Sequence, residues 1–212
     1  VVIPVRNEAT HLPQLLQTLR RHASRIILID DGSSDRTLDL ISSDEFEIIR
    51  NPTRQGKTSC IRSALPLAVR SDWILFMDGD GQHDPDDLPR FWNSRNGSDA
   101  VLGERDLHRA SMPRTRRATN RLMTRILHLL VGGKIQDTQC GYRLVRSAWL
   151  SGWLPVGKEF EWESELYMRL IQTRARLKSV PIAVIYRTER SKIFWPRETW
   201  RFLKLCSTIR KF

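Results

Sequence analysis

Apolar positions along the chain fall into short unbroken runs that alternate with stretches of helical spacing. Residues 1–5 form a β-branched run closed by Arg6-Asn7-Glu8. Leu12, Leu15, Leu16 and Leu19 then recur on one helix face, with Thr10 placed to cap that helix. The pattern repeats over 25–30, where Ile26, Ile27, Leu28 and Ile29 run together and Asp30-Asp31-Gly32-Ser33-Ser34-Asp35 turns the chain toward a helix over 37–41. Residues 46–50 predict a third strand, closed by Asn51-Pro52. A helix starting at Gly56-Lys57-Thr58 then puts Ile61, Ala64, Leu65 and Ala68 on one face despite Pro66, and Ile74, Leu75, Phe76 and Met77 make a fourth strand. Beyond it the spacing predicts a helix over 85–92 capped by Asp84 and a strand over 99–103. A longer helix over 113–131 sets Leu122, Ile126, Leu129 and Leu130 against Arg114, Arg117, Arg121 and Arg125 and ends at Gly132-Gly133. A polar stretch over 137–143, a helix over 161–173 and a strand over 178–186 complete the pattern.

Strand followed by helix, four times over, predicts an α/β fold: a mostly parallel sheet with helices on both faces, binding its ligand beyond the carboxyl ends of the strands. Asn7-Glu8, Asp30-Asp31 and Asp78-Asp80 all sit at such ends. The last is the most heavily loaded. Residues 73–85, W-I-L-F-M-D-G-D-G-Q-H-D-P, deliver carboxylates and a glutamine directly after an apolar run, which core packing does not require. With strand geometry continued through Asp78, a period of two puts Asp78 and Asp80 on one face. Gly79 and Gly81 then free the backbone to turn and a ligand to approach. This outlines an oxygen-donor site for a hard cation.

Charge changes the picture in the second half. Residues 1–100 carry 12 basic and 15 acidic side chains, and residues 101–212 carry 23 and 9, so the net charge of +11 resides C-terminally. Such a surface suits nucleic acid, an anionic membrane or phosphorylated ligands, or is simply solvated. The arginines of 114–125 and the basic, amphipathic stretch 194–212 stay open between packing on the domain, facing solvent and lying on a bilayer. Cys60, Cys140 and Cys206 make neither a disulfide framework nor a zinc site, which fits a reducing compartment. No apolar run reaches membrane-spanning length and no signal-peptide pattern opens the chain. It opens directly on a strand, so further residues upstream are expected. Lys57 follows Gly56, but Asn51 stands where a phosphate loop needs its first glycine. His83 reads as structural.

Five motifs in order carry a resemblance: V-V-I-P-V-R-N-E at 1–8, D-D-G-S-S-D-R-T at 30–37, D-G-D-G-Q-H-D-P at 78–85, D-T-Q-C-G-Y-R at 137–143 and R-T-E-R-S-K-I at 187–193. Together they resemble family 2 glycosyltransferases of the dolichol-phosphate mannosyltransferase type over nearly the whole chain. The resemblance implies a GT-A fold, a UDP- or GDP-hexose donor, Mg²⁺ or Mn²⁺, and inversion at the sugar carbon. It implies a catalytic domain over 1–193, with a nucleotide-sugar half (1–104) and an acceptor half (105–193), followed by an appendage over 194–212.

Carried over by position, Pro4, Val5, Asn7 and Glu8 line the nucleotide pocket, with Asp31 near base or ribose and Lys57 and Gly79 on the donor side. Asp78 and Asp80 bind metal and donor, and Gln82 is a further metal ligand. Arg105, Arg143, Arg187 and Lys192 handle the diphosphate and the acceptor phosphate; Asp80, Arg143, Arg187 and Lys192 form the catalytic set. Asp137, Gln139, Glu161, Glu163 and Ser191 belong to the acceptor side. The chemistry agrees, because a hard cation and fixed basic groups neutralise a departing diphosphate. Residues 159–166, E-F-E-W-E-S-E-L, lack the Arg-Trp pair that many relatives acting on sugar hydroxyls carry. A lipid phosphate is already an anion and needs no base, whereas an alcohol does. The expected acceptor is therefore a polyprenyl phosphate at the cytoplasmic membrane face, met by a peripheral protein, with a membrane-protein partner a further option. A hydroxyl acceptor with Glu161 or Glu163 as base is the alternative. A basic nucleic-acid-binding protein is the rival of another class; it leaves the acidic sheet edge unexplained.

Overall fold

The computed structural model describes residues 1–39, 41, 44–106, 114–159, 161–184 and 201–206. The apolar runs become β1 (Val2–Val5), β2 (Ile27–Asp31), β3 (Glu47–Asn51), β4 (Trp73–Phe76), β5 (Ala100–Arg105), β6 (Arg143–Arg146) and β7 (Leu177–Ile182). The helices are α1 (Leu12–Leu19), α2 (Lys57–Ala68), α3 (Leu88–Ser94), α4 (Arg114–Val131) and α5 (Trp162–Gln172). The strands form one sheet in the order β3-β2-β1-β4-β6-β5-β7, in which β6 pairs antiparallel with both neighbours and the other pairings are parallel.

Alternation along each strand divides the core into two layers. Ile27, Ile29, Ile74 and Phe76 point to the face covered by α2, α4 and α5. Leu28, Leu75 and Met77 point to the face covered by α1 and α3, where Leu12, Leu16 and Phe91 meet them. Residues 201–206 are helical, and Phe202, Leu205 and Cys206 are buried in the first layer, so this part of the C-terminal stretch packs on the sheet domain. The three cysteines are free and buried. Among the described residues no helix is long and apolar enough to cross a membrane.

The structure departs from the sequence pattern in six places, five of them at element ends and short segments. No helix forms over the described residues of 37–41: Asp35 takes the backbone N–H and the hydroxyl of Thr37, a local bond that competes with helical pairing. Thr10 does not cap α1; His11 stands at its N-cap, and the Glu8 carbonyl accepts from the N–H groups of His11 and Leu12. Asp30 and Asp31 lie inside β2. β4 stops at Phe76, so a turn carries Asp78 and Asp80. β6 has no counterpart in the pattern, because its four residues, Arg-Leu-Val-Arg, begin with a buried arginine.

Helix α4 is also rotated from its expected face. Its buried positions are Asn120, Thr124 and Leu127, while Leu122 and Leu129 face solvent. Two of the inward positions are polar, and Thr124 is satisfied by a 2.9 Å hydroxyl contact with Thr138. Apolar spacing alone therefore misreads the helix. Asp84 does cap, accepting from Asp86 N–H at 3.0 Å at the start of a 3₁₀ turn over Pro85–Asp87.

Leu127→Ala is expected to cost about 2–5 kcal/mol by the cavity it leaves, whereas Leu129→Ala, at a position 87% exposed, should stay within about 0.5 kcal/mol. Urea unfolding of both variants checks this.

Candidate active site

Strand geometry separates the two aspartates that end β2. Asp31 shares the parity of Ile27 and Ile29 and so faces α2; its carboxylate accepts from the backbone N–H groups of Gln55 (2.6 Å) and Gly56 (2.9 Å) and from Asn51 Nδ2 (3.4 Å). Both oxygens are committed to the loop that starts α2. Asp30 faces the other way, accepts from Ser33 N–H at 3.2 Å, and lines a cavity of about 410 Å³ with Ser33, Arg50, Asn51 and Pro52. The family resemblance implies Asp31 near base or ribose; in the structure Asp30 is the one of the two that lines this cavity.

The loops after β1 and β2 are stitched together above that edge. Asn7 adopts φ +56°, donates its N–H to Ser33 Oγ at 3.0 Å, and accepts from Ser34 N–H at 2.8 Å. The Glu8 N–H donates to Thr37 Oγ1 at 2.9 Å, and its carboxylate lies 3.4 Å from His11 Nδ1. Pro4 and Val5 lie in β1, with Val5 buried. A side chain at Gly79 would meet Val5 Cγ1 at 2.6 Å. Packing against β1 thus requires a glycine at position 79.

Lys57, at the head of α2, reaches across the sheet edge. Its Nζ lies 2.5 Å from Asp78 Oδ1 and 2.5 Å from Glu163 Oε1, the latter on α5. Burial works against the ammonium, but Asp78 and Glu163 more than offset it and hold its pKa above the ordinary lysine range. Burial likewise opposes the charge on Asp78, and Lys57 carries that carboxyl below its usual value. Among the described residues Asp80 has no such partner. Burial, then Asp78, and further Glu8 push its pKa up to about 6, against one backbone hydrogen bond from Gln82 N–H at 3.0 Å. His83 is buried 4.0 Å from Asp78 Oδ2, and burial lowers its pKa to about 4, so it is neutral near pH 7.

The acceptor-side residues fall into two groups. Arg105 and Asp137, expected on opposite sides of the reaction, form a buried two-pronged ion pair (2.5 and 2.9 Å). Gln139 donates to Ser164 Oγ and Thr138 Oγ1, both at 3.1 Å, tying its loop to α5. Arg143, expected at the phosphates, is fully buried. It donates to the carbonyls of Cys140 (2.7 Å), Glu163 (2.6 Å) and Thr138 (2.5 Å), so it shapes the loop from beneath. Glu161 Oε2 accepts from Glu159 N–H at 2.8 Å. Arg187, Ser191 and Lys192 lie outside the described residues. Gly141 is a site residue that its motif concealed: a Cβ there would sit 2.6 Å from Asp78 Oδ2 and 3.1 Å from Lys57 Nζ. The glycine within D-T-Q-C-G-Y-R was its only signal.

The donor set fits a divalent cation. Asp78 and Asp80 are oxygen donors crowded enough to raise one carboxyl to about 6, and no group of three or more metal-ligating side chains occurs among the described residues. Mg²⁺ and Mn²⁺ commonly bind one or two carboxylates and fill the remaining positions with water and phosphate oxygens.

Residues 1–153 match the family described as glycosyl transferase family 2. The chain belongs to that family. It is a glycosyltransferase on a GT-A fold. It is 25% identical over 201 residues to an undecaprenyl-phosphate mannosyltransferase of Micrococcus luteus, covering 88% of this chain and 83% of that one. It is 31% identical over 160 residues to an undecaprenyl-phosphate 4-deoxy-4-formamido-L-arabinose transferase of Pseudomonas paraeruginosa, covering 69% of this chain and 46% of the relative. Among solved structures, glucosyl-3-phosphoglycerate synthase from Mycobacterium tuberculosis, in complex with Mn²⁺, UDP and glucosyl-3-phosphoglycerate, superposes with a TM-score of 0.75 at 17% identity, over 99% of this chain and 78% of that one.

Because the folded carboxyl of Asp80 binds its proton more tightly than the unfolded one (about 6 against 3.8), the metal-free protein should lose stability as pH rises between those values. Relative to Asp80→Asn, the loss between pH 4 and 7 is expected to be on the order of 1–3 kcal/mol. Thermal unfolding in EDTA across that range measures it.

Proposed function

We propose that this family member moves a hexose from UDP or GDP onto a polyprenyl phosphate, with inversion and with the help of Mg²⁺ or Mn²⁺. The observation that carries the reading is that the two carboxylates named as candidate bases, Glu161 and Glu163, are engaged. Glu163 is ion-paired to Lys57 at 2.5 Å, and Glu161 accepts the N–H of Glu159. A carboxylate held by an ammonium is poorly placed to deprotonate an alcohol, and a phosphate acceptor needs no deprotonation. The polyprenyl-phosphate acceptors in the names of the relatives support the same reading.

In this mechanism the cavity beside Asp30 takes base and ribose, and Asn7 steadies its wall through the bond from its N–H to Ser33 Oγ. Asp78, Asp80 and Gln82 would hold the cation, which supplies charge neutralisation for the departing diphosphate. An oxygen of the acceptor phosphate attacks the anomeric carbon as the bond to the diphosphate oxygen breaks, and a single displacement inverts that carbon. Arg105, held by Asp137, would handle the diphosphate from the donor side, and Arg187 and Lys192 would meet the phosphates with it. Peripheral contact with the cytoplasmic membrane face is supported by the solvent face of α4, where exposed Leu122 and Leu129 alternate with exposed Arg121 and Arg125.

Two measurements test the proposal. Mn²⁺ or Mg²⁺ should strengthen UDP or GDP binding by calorimetry, and Asp80→Ala should abolish that gain; equal binding with and without metal in both proteins refutes the metal role. With radiolabelled donors, transfer should occur to a polyprenyl phosphate and not to the matching alcohol. Glu161→Gln and Glu163→Gln should each keep transfer within roughly tenfold, whereas loss of a general base costs about 10²–10⁴. Preference for the alcohol together with such a loss would establish a hydroxyl acceptor instead.

A further inference from the structure

Resting on the metal reading above, we propose that Lys57 is a resident counter-ion that competes with the divalent cation for Asp78, so that metal binding in the nucleotide-free protein depends on Asp80. Lys57 Nζ sits on Asp78 Oδ1 at 2.5 Å and is 12% exposed. The other carboxylate oxygen, Oδ2, is confined between His83 Nε2 at 4.0 Å and the backbone of Gly141, where even a methyl group would come within 2.6 Å. Asp78 therefore has one oxygen under an ammonium and the other against a wall.

Lys57 is held in place from three sides. Gly56, at φ +93°, sets the entry to α2, and a Cβ there would collide with the Lys158 carbonyl at 2.3 Å. Thr58 donates its N–H and its hydroxyl to the Glu159 carbonyl at 2.9 and 2.7 Å. Glu163 fixes the far side of the ammonium at 2.5 Å. An ammonium so placed offsets part of the negative charge of a site that gathers Asp78, Asp80, Glu8 and Glu163, and eases their coexistence before any cation arrives. When a nucleotide diphosphate enters, its oxygens offer the ammonium and the cation new partners, so the two ligands should bind interdependently. Asp80, which among the described residues accepts from the Gln82 backbone N–H and meets no cation within ion-pair distance, is the carboxylate open to metal from the start.

The test is Mn²⁺ titration by electron paramagnetic resonance without nucleotide, on the full chain. Lys57→Met should bind Mn²⁺ about tenfold or more tighter than the parent, and Asp80→Asn should abolish binding in both backgrounds. Asp78→Asn should weaken the parent by less than about threefold but Lys57→Met by about tenfold, a coupling that a purely structural lysine would not produce. Unchanged or weaker Mn²⁺ binding in Lys57→Met overturns the proposal, as does an Asp78→Asn loss in the parent equal to that of Asp80→Asn. If Lys57→Met does not fold by near-ultraviolet circular dichroism, Lys57→Met/Glu163→Gln removes the charge and one partner together and is compared with Glu163→Gln alone, with the same tightening expected. Mn²⁺ that binds the parent but ignores Lys57 overturns this inference alone. Mn²⁺ that binds none of these proteins, with or without UDP or GDP, overturns the metal reading and this inference together.

Discussion

One ammonium between two carboxylates holds the edge of the sheet together. Lys57 joins the start of α2 to the turn after β4 and to the first turn of α5. In the protein interior such an arrangement is costly to assemble and costlier to break. Desolvation opposes every charge, yet removing one partner of a buried pair leaves the other uncompensated, at about 3–5 kcal/mol. The Asp31 carboxylate, clamped on the N–H groups of Gln55 and Gly56, fixes the loop from which Lys57 departs. An aspartate that resembles a ligand-binding group by position therefore acts as the anchor of the lysine.

The reversed strand β6 is the second requirement. Because it runs against β4 and β5, its first residue lies at the edge where its neighbours end, and the preceding loop 137–143 is delivered to the site. Arg143 secures that loop by giving three of its nitrogens to carbonyls of the loop and of α5. Burying a guanidinium is tolerable only with its donors satisfied. Gly141 then lies close enough to crowd Asp78 and Lys57. The earlier and later parts of the chain thus share one charge network, in which Lys57 joins Asp78 to Glu163.

Most strands and helices were legible because burial imposes a period, and Ile27, Ile29 and Leu28, or Ile74 and Leu75, report their faces directly. The failures are the places where polar groups do the packing. Asn120 and Thr124 turn α4 away from its apolar stripe, Asp35 diverts 37–39 from a helix, and Arg143 hides β6. The pattern singled out Asp78 and Asp80, and the resemblance added Glu163, but neither could say which carboxylate Lys57 would take.

Taken alone, the sequence determined the α/β architecture, the clustering of Asn7, Glu8, Asp30, Asp31, Asp78 and Asp80 at strand ends, and the family, since these follow from local periodicity and from ordered motifs. Only the tertiary structure decided that Asp30 rather than Asp31 lines the open cavity, that Lys57 meets Glu163 across 106 positions, and that Arg143 points to backbone. The reason is physical. A residue's face is set by its immediate neighbours in the chain, whereas the partner of a buried charge is chosen by whichever distant group the fold brings within about 3 Å.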